Sequence, residues 1–267
     1  MIKLIASDVD GTLIKDSTPD LYPEMAETIR ELKARGILFC AASGRQYGSL
    51  RNVFRDVADD IAYIAENGAH IRYQNQNVSV TAMKREHIEG IMSMLRPYYG
   101  ECETIVSTVN GSLVESKNED FLDLITYGYH NTFRRVEDVL AEDAEIIKIA
   151  VYRKDSIRSL GEGLFIPSWT DQVKACMAGE EWVDFMDSSV DKGNGLKFLE
   201  DYLGISKQET MAFGDNDNDI GMMCAAGHSY AVDTAVEEVK QAASGICPGW
   251  RQKGVYQIIR KEVLFHA

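Results

Sequence analysis

The chain has 267 residues, 45% of them hydrophobic and 26% charged, which is ordinary globular material for one or two domains of about 150 residues. Its 42 acidic residues outnumber 28 basic ones for a formal charge of -14. That charge repels the phosphates of nucleic acids and anionic membrane surfaces, so neither is expected as a partner. Five cysteines, Cys40, Cys102, Cys176, Cys224 and Cys247, are odd in number and never form a CxxC pair. Reduced, mostly buried thiols are expected rather than a disulfide framework or a zinc site. The apolar stretch before Asp8 is too short for a signal sequence, and no run has the length to span a bilayer, so the expected location is cytoplasmic.

In chain order, Leu4 to Ala6 reads as a buried strand. Pro23 then opens a helix with Met25, Ile29 and Leu32 at helical spacing, and Gly36 ends it. Ile37 to Ala42 reads as a second strand. A helix with Tyr47, Leu50 and Phe54 inward leads to a third strand at Ile61 to Ala65. A hairpin follows through His70 to Tyr73 and Val78 to Val80, with its turn at Gln74 to Asn77. Short apolar runs alternating with amphipathic ones predict a Rossmann-like parallel α/β sheet covered by helices.

From about Ala82 the rhythm changes. A helix near Lys84 to Arg96 is followed by alternating segments at Ile105 to Val114, Ile146 to Tyr152, Val173 to Ala178 and Trp182 to Met186, which predict a separate α+β unit. The first pattern resumes with a helix from Lys192 to Leu203 ended by Gly204. A strand at Thr210 to Phe213, a helix after Asp217 and a strand near Tyr230 to Val232 complete it. The expected organisation is thus a core of residues 1–82 and 187–267 interrupted by an insertion of residues 83–186.

Asp8-Val9-Asp10-Gly11-Thr12 places two carboxylates directly after a buried strand, at the edge where open α/β sheets bind ligands. Desolvation and mutual repulsion would push one of them toward neutrality unless a cation is supplied. An Asp after a strand can also simply cap a turn, but Gly214-Asp215-Asn216-Asp217-Asn218-Asp219 again loads acids onto the end of an apolar strand. A calcium loop of the EF-hand kind fails there, because its sixth and twelfth positions are Ile220 and Ala226. Hard oxygen ligands favour magnesium. Ser43-Gly44-Arg45 after the second strand, and Asp191-Lys192-Gly193 before a helix, offer a hydroxyl, backbone amides and a lysine to a phosphoryl group. Taken singly, such segments are more often a turn and a solvated lysine.

In this order the four segments resemble the haloacid dehalogenase (HAD) superfamily of phosphotransferases. The insertion is similar to the type C2 α/β cap of its Cof-type sugar phosphatase branch, and Glu66-Asn67-Gly68-Ala69 looks like that branch's loop after the third strand. The resemblance implies Asp8 as nucleophile and Asp10 as general acid and base. It implies Mg2+ held by Asp8, the Asp10 backbone carbonyl and Asp215, with Thr12 and Asp219 supporting them. Ser43, the Gly44 amide, Lys192 and Asn218 are implied to hold the phosphate. An acid at position 10, where ion-pump relatives carry threonine, implies rapid release of phosphate.

Specificity is then expected from the insertion. Tyr127, Tyr129, His130, Trp169 and Trp182 are there to stack on a ring, although aromatic residues in strands more often belong to a core, the reading preferred here. His130 reads as a polar surface residue. Lys174 and Asp184 are candidates for touching the leaving group. The expected substrate is a small phosphorylated metabolite, and the expected state a monomer or weak homo-oligomer. Two alternatives remain open: a phosphomutase or phosphotransferase using the same nucleophile, and a non-catalytic phospho-ligand-binding regulator, which would be expected to have lost a motif.

Overall fold

The computed structural model describes residues 1–15 and 20–265 and divides into two compact units, Met1–Ser79 with Asp191–Ala267, and Val80–Val190. These divisions lie within about four residues of the sequence boundaries at 82 and 187.

In the first unit, β1 (Leu4–Ser7) is buried along its whole length, as expected of a central strand covered on both faces. Helix α1 (Pro23–Ala34) has proline in its first turn and buries Met25, Ala26, Thr28, Ile29 and Leu32. Gly36, at φ +73°, follows its last turn, a left-handed position that glycine takes without a Cβ penalty. Strand β2 (Leu38–Ala42), helix α2 (Tyr47–Val53) and strand β3 (Ala62–Ala65) follow. The hairpin is tighter than expected: β4 (His70–Tyr73) and β5 (Gln76–Val80) are joined by Gln74 and Asn75 alone. Both sit at positive φ, 50° and 60°, the backbone that a two-residue turn between twisted strands requires.

The second unit comprises α3 (Arg85–Leu95), β6 (Glu103–Thr108), β7 (Gly111–Val114), α4 (Glu119–Asp123), β8 (Phe133–Arg135), β9 (Ile146–Tyr152), α5 (Arg158–Leu160), β10 (Val173–Met177) and β11 (Trp182–Asp187). Its sheet runs β10-β11-β9-β6-β7-β8. The pairs are antiparallel except β7 with β8. The segment Ile105 to Val114 is therefore a hairpin rather than one alternating strand. Ile91, Met92, Leu95 and Phe165 pack with Ile149, Val151, Val183 and Phe185 in one core cluster. Phe121, Leu122 and Ile125 pack with Ile105, Val114 and Ala150 in another.

The preference for a structural role of the aromatics fits this packing. Trp182 lies against Phe121 and Tyr152 and donates its Nε1–H to the Tyr129 hydroxyl at 3.1 Å. Trp169 covers Gly90, where a Cβ would come within 2.4 Å of the indole. Tyr127, read from sequence as more often core, is instead exposed, whereas His130 is exposed as expected. Asp184 is buried beside Lys148, with Nζ at 3.3 Å, and the Lys174 ammonium donates to the Val190 carbonyl at 2.9 Å.

The first unit resumes with α6 (Lys192–Leu203), β12 (Thr210–Gly214), α7 (Ile220–Ala225), β13 (His228–Val232), α8 (Glu237–Ala242), β14 (Gly245–Cys247) and α9 (Gly254–Ile258). Its sheet order is β14-β13-β12-β1-β2-β3-β4-β5. The pairs from β14 to β3 are parallel, and β4 runs antiparallel to β3. Cys40, Cys102 and Cys247 are buried, Cys176 is partly so and Cys224 is exposed. Helices α6 and α7 approach so closely that a Cβ on Gly193 would lie 2.3 Å from the Gly221 carbonyl carbon. Gly193→Ala is expected to cost about 3 kcal/mol of stability, because backbone cannot yield as a side-chain tip does. An unchanged urea midpoint would contradict this packing.

Candidate active site

Asp8, Ser43, Glu66 and Asp215 each directly follow a strand, β1, β2, β3 and β12 respectively. These four strands are neighbours in the parallel sheet, so their loops gather at one carboxyl edge, where open α/β sheets carry their sites. The loop after β1 turns back tightly: Leu13 and Ile14 both donate to the Val9 carbonyl, and Gly11 donates to Ile14. Gly11 has φ +83°, and a Cβ there would fall 2.4 Å from Asp215 Oδ2. The turn needs glycine for conformation and for space. Thr12 Oγ1 donates to Asp215 Oδ1 at 2.8 Å and fixes that carboxylate.

Asp191 caps α6, accepting from the Gly193 amide at 2.7 Å, which places Lys192 at the first helical position. The Lys192 side chain is only 1% exposed, and its ammonium donates to Asp8 Oδ1 at 2.6 Å and to Asp219 Oδ1 at 2.7 Å. Asp219 is fully engaged, because Oδ2 accepts from the amides of Asp215 and Asn216 at 2.9 and 3.1 Å. Asp8 Oδ2, by contrast, is buried with no hydrogen-bond partner.

Asp8, Asp215 and Asp219 bring one oxygen each within 4.8 Å of one another. Burial pushes the Asp8 carboxyl well above the usual range; Lys192 opposes this, while Asp219 and Asp215 add to it. Burial likewise raises Asp215, against the Thr12 hydrogen bond. For Lys192 burial acts downward, but Asp219 and Asp8 outweigh it and hold the ammonium charged. Three carboxylates around one ammonium leave an excess of negative charge, and Asp8 Oδ2 is buried without a hydrogen-bond partner. These residues fit a divalent cation of the magnesium type.

Asp10 stands apart from that cluster. Arg45 holds its carboxylate through two hydrogen bonds, Nε to Oδ2 at 2.7 Å and Nη2 to Oδ1 at 2.5 Å. The Arg45 amide donates to Ser43 Oγ at 3.1 Å. Gly44 lies where a Cβ would come within 3.2 Å of Asn67 Oδ1, and Asn218 Nδ2 donates to that same oxygen at 2.9 Å. The structure thus links Asp8 with Lys192, Asp215 and Asp219, and joins Asp10 and Asn218 to the loops after β2 and β3. Sequence reasoning assigned no part to Arg45 or Asn67. The signal for Asn67 was its place before a glycine, which marks it for a left-handed conformation.

The chain belongs to the haloacid dehalogenase-like hydrolase family, whose model matches residues 5–259. It is an enzyme of the phosphatase class. It is 29% identical over 267 residues to the 5-amino-6-(5-phospho-D-ribitylamino)uracil phosphatase YbjI of Escherichia coli, covering 99% of this chain and 97% of that protein. A crystal structure from Eubacterium rectale superposes with a TM-score of 0.88 at 33% identity, over 97% of this chain and 98% of the other. The HAD subclass IIB sugar phosphatase BT4131 shares the fold, with a TM-score of 0.82 at 22% identity over 97% of this chain and 98% of its own. No helix among the described residues is long and apolar enough to cross a membrane.

Proposed function

We propose that the protein is a magnesium-dependent phosphatase that hydrolyses small phosphomonoesters, sugar phosphates foremost, through an aspartyl phosphate on Asp8. The observation that carries this reading is the division of labour on the Asp8 carboxylate: Oδ1 is anchored by Lys192, and Oδ2 is buried without a partner. A carboxylate fixed through one oxygen by a buried ammonium, with the other oxygen unpartnered, is suited to act as a nucleophile. The Asp8 carboxylate bonds to phosphorus as the ester P–O bond breaks, and Asp10 gives its proton to the departing alkoxide. Water then bonds to phosphorus as the Asp8–phosphorus linkage breaks, and Asp10 takes the water's proton, which releases phosphate and restores both residues.

Arg45 fixes the position of Asp10 for both transfers. Ser43, the Gly44 amide, Lys192 and Asn218 bind phosphoryl oxygens. Asp8, the Asp10 carbonyl and Asp215 hold Mg2+, with Thr12 and Asp219 fixing their surroundings; when bound, the ion offsets the repulsion between carboxylate and phosphate. The inserted unit selects the leaving group. The YbjI similarity makes a phosphorylated ribityl compound one member of the substrate class to test. A cytoplasmic location and a monomer or weak homo-oligomer complete the reading.

Phosphate release from a panel of sugar phosphates and other phosphomonoesters, measured with magnesium and with chelator, tests it. Release that needs magnesium is the expected result. Silence across the panel, or release indifferent to chelation, would overturn it; conversion of a hexose 1-phosphate to its 6-phosphate without phosphate release would point to a mutase.

A further inference from the structure

Three successive residues after β3, Glu66, Asn67 and Gly68, have φ of 50°, 57° and 106°. Left-handed backbone at two non-glycine residues is strained and persists only where the surroundings over-determine it. Here they do. The Glu66 amide donates to the Arg45 carbonyl at 3.0 Å and the Asn67 amide to the Ser43 carbonyl at 2.9 Å. Gly68 lies against the backbone of Asp191, where a Cβ would be 2.5 Å from the carbonyl oxygen. The Asn67 carboxamide, 7% exposed, accepts from Asn218 Nδ2 and lies against Gly44.

One turn therefore touches the loop after β2, the start of α6 and the loop after β12. Those three loops carry Ser43 and Gly44, Lys192, and Asn218, the groups assigned to the phosphate. Its left-handed backbone points the Asn67 side chain between two of them, and its oxygen takes one of the two amide hydrogens of Asn218. That fixes which way the Asn218 carboxamide faces and leaves its other N–H for a ligand. The approach to Gly44 likewise fixes how near that amide comes.

We infer that Asn67 is a positioning residue for phosphate, acting through the carboxamide of Asn218 and the backbone at Gly44 rather than by transferring a proton. This rests on the phosphatase reading above and deepens it.

The test uses the full chain with magnesium, p-nitrophenyl phosphate as substrate and inorganic phosphate as competing product. Asn67→Gly permits the left-handed backbone and deletes the side chain with its carboxamide. It is expected to lower kcat/KM about tenfold and to weaken inhibition by inorganic phosphate by a similar factor, at an unchanged urea midpoint. Combined with Asn218→Ala, it should add little to the loss from Asn218→Ala alone, because the two act as one unit. Asn67→Asp, equal in size, keeps an acceptor for Asn218 but sets a negative charge beside the phosphate. It should weaken phosphate inhibition at least as much, and it serves if the glycine variant does not fold. Unchanged phosphate inhibition in the folded variants, or losses that multiply in the double variant, would overturn the inference while leaving the phosphatase reading standing. An inactive wild type would overturn that reading first, and the inference with it.

Discussion

Asp8→Asn is expected to reduce phosphate release by at least about a thousandfold, because an amide oxygen cannot replace the carboxylate as nucleophile. The fold should survive intact. Asparagine keeps an oxygen that can accept from the Lys192 ammonium, now at 2.6 Å from Asp8 Oδ1. It also removes one of three carboxylates crowded within 4.8 Å. In metal-free buffer the variant should therefore be at least as stable to urea as the parent, since the charge it loses is one that burial disfavours. Turnover within about tenfold of the parent would remove Asp8 from the chemistry. Asp10→Asn should instead slow formation and hydrolysis of the phosphoenzyme together, as the proposed use of one group for both proton transfers requires.

Lys192→Met carries the largest expected loss of stability. The ammonium is nearly inaccessible and bonded to Asp8 and Asp219 at once. Methionine approximates its volume but leaves both carboxylates buried without their cation. Breaking a buried pair from one side costs about 3–5 kcal/mol, so urea unfolding should shift by that amount and activity should fall with it. Stability equal to the parent would mean that Asp219 keeps its place through the Asp215 and Asn216 amides alone.

How much of this was legible beforehand follows from what each element depends on. Strands β1, β2, β3 and β12 are short apolar runs with buried residues throughout or nearly so, a pattern that composition alone reveals. The charged residues stood out for the same reason: carboxylates directly after such strands need a partner, and Asp8, Asp215 and Asp219 are found around Lys192.

Elements with little hydrophobic pattern escaped. Strand β14 has three residues and an exposed Ile246, and α8 buries only Val239. Helix α4 did carry a signal in Asn118, whose side chain caps it by accepting from the amides of Asp120 and Phe121. The Gln74-Asn75 turn reads as longer than it is, because it lacks the Asn-Gly pair that marks a two-residue hairpin. Arg45 on Asp10 and Asn67 on Asn218 depend on the spacing between loops distant in sequence, which no local pattern encodes.

The order of the strands also bears on how the chain comes together in time. Strand β1 pairs with β12 across some 200 residues of sequence, and Asp8 meets Lys192 across 184. Pairings of such long range form late and slowly, because the loop must close before the contacts reward it. Residues 80–190, in contrast, are contiguous and have their core complete before α6 emerges from the ribosome. During synthesis the inserted unit is thus placed to fold first, and the central strand of the larger sheet waits beside β2 with one edge open until β12 arrives. Assembly of Asp8 with Lys192 coincides with closure of that edge, so the buried carboxylate–ammonium pair forms only once β12 has been made.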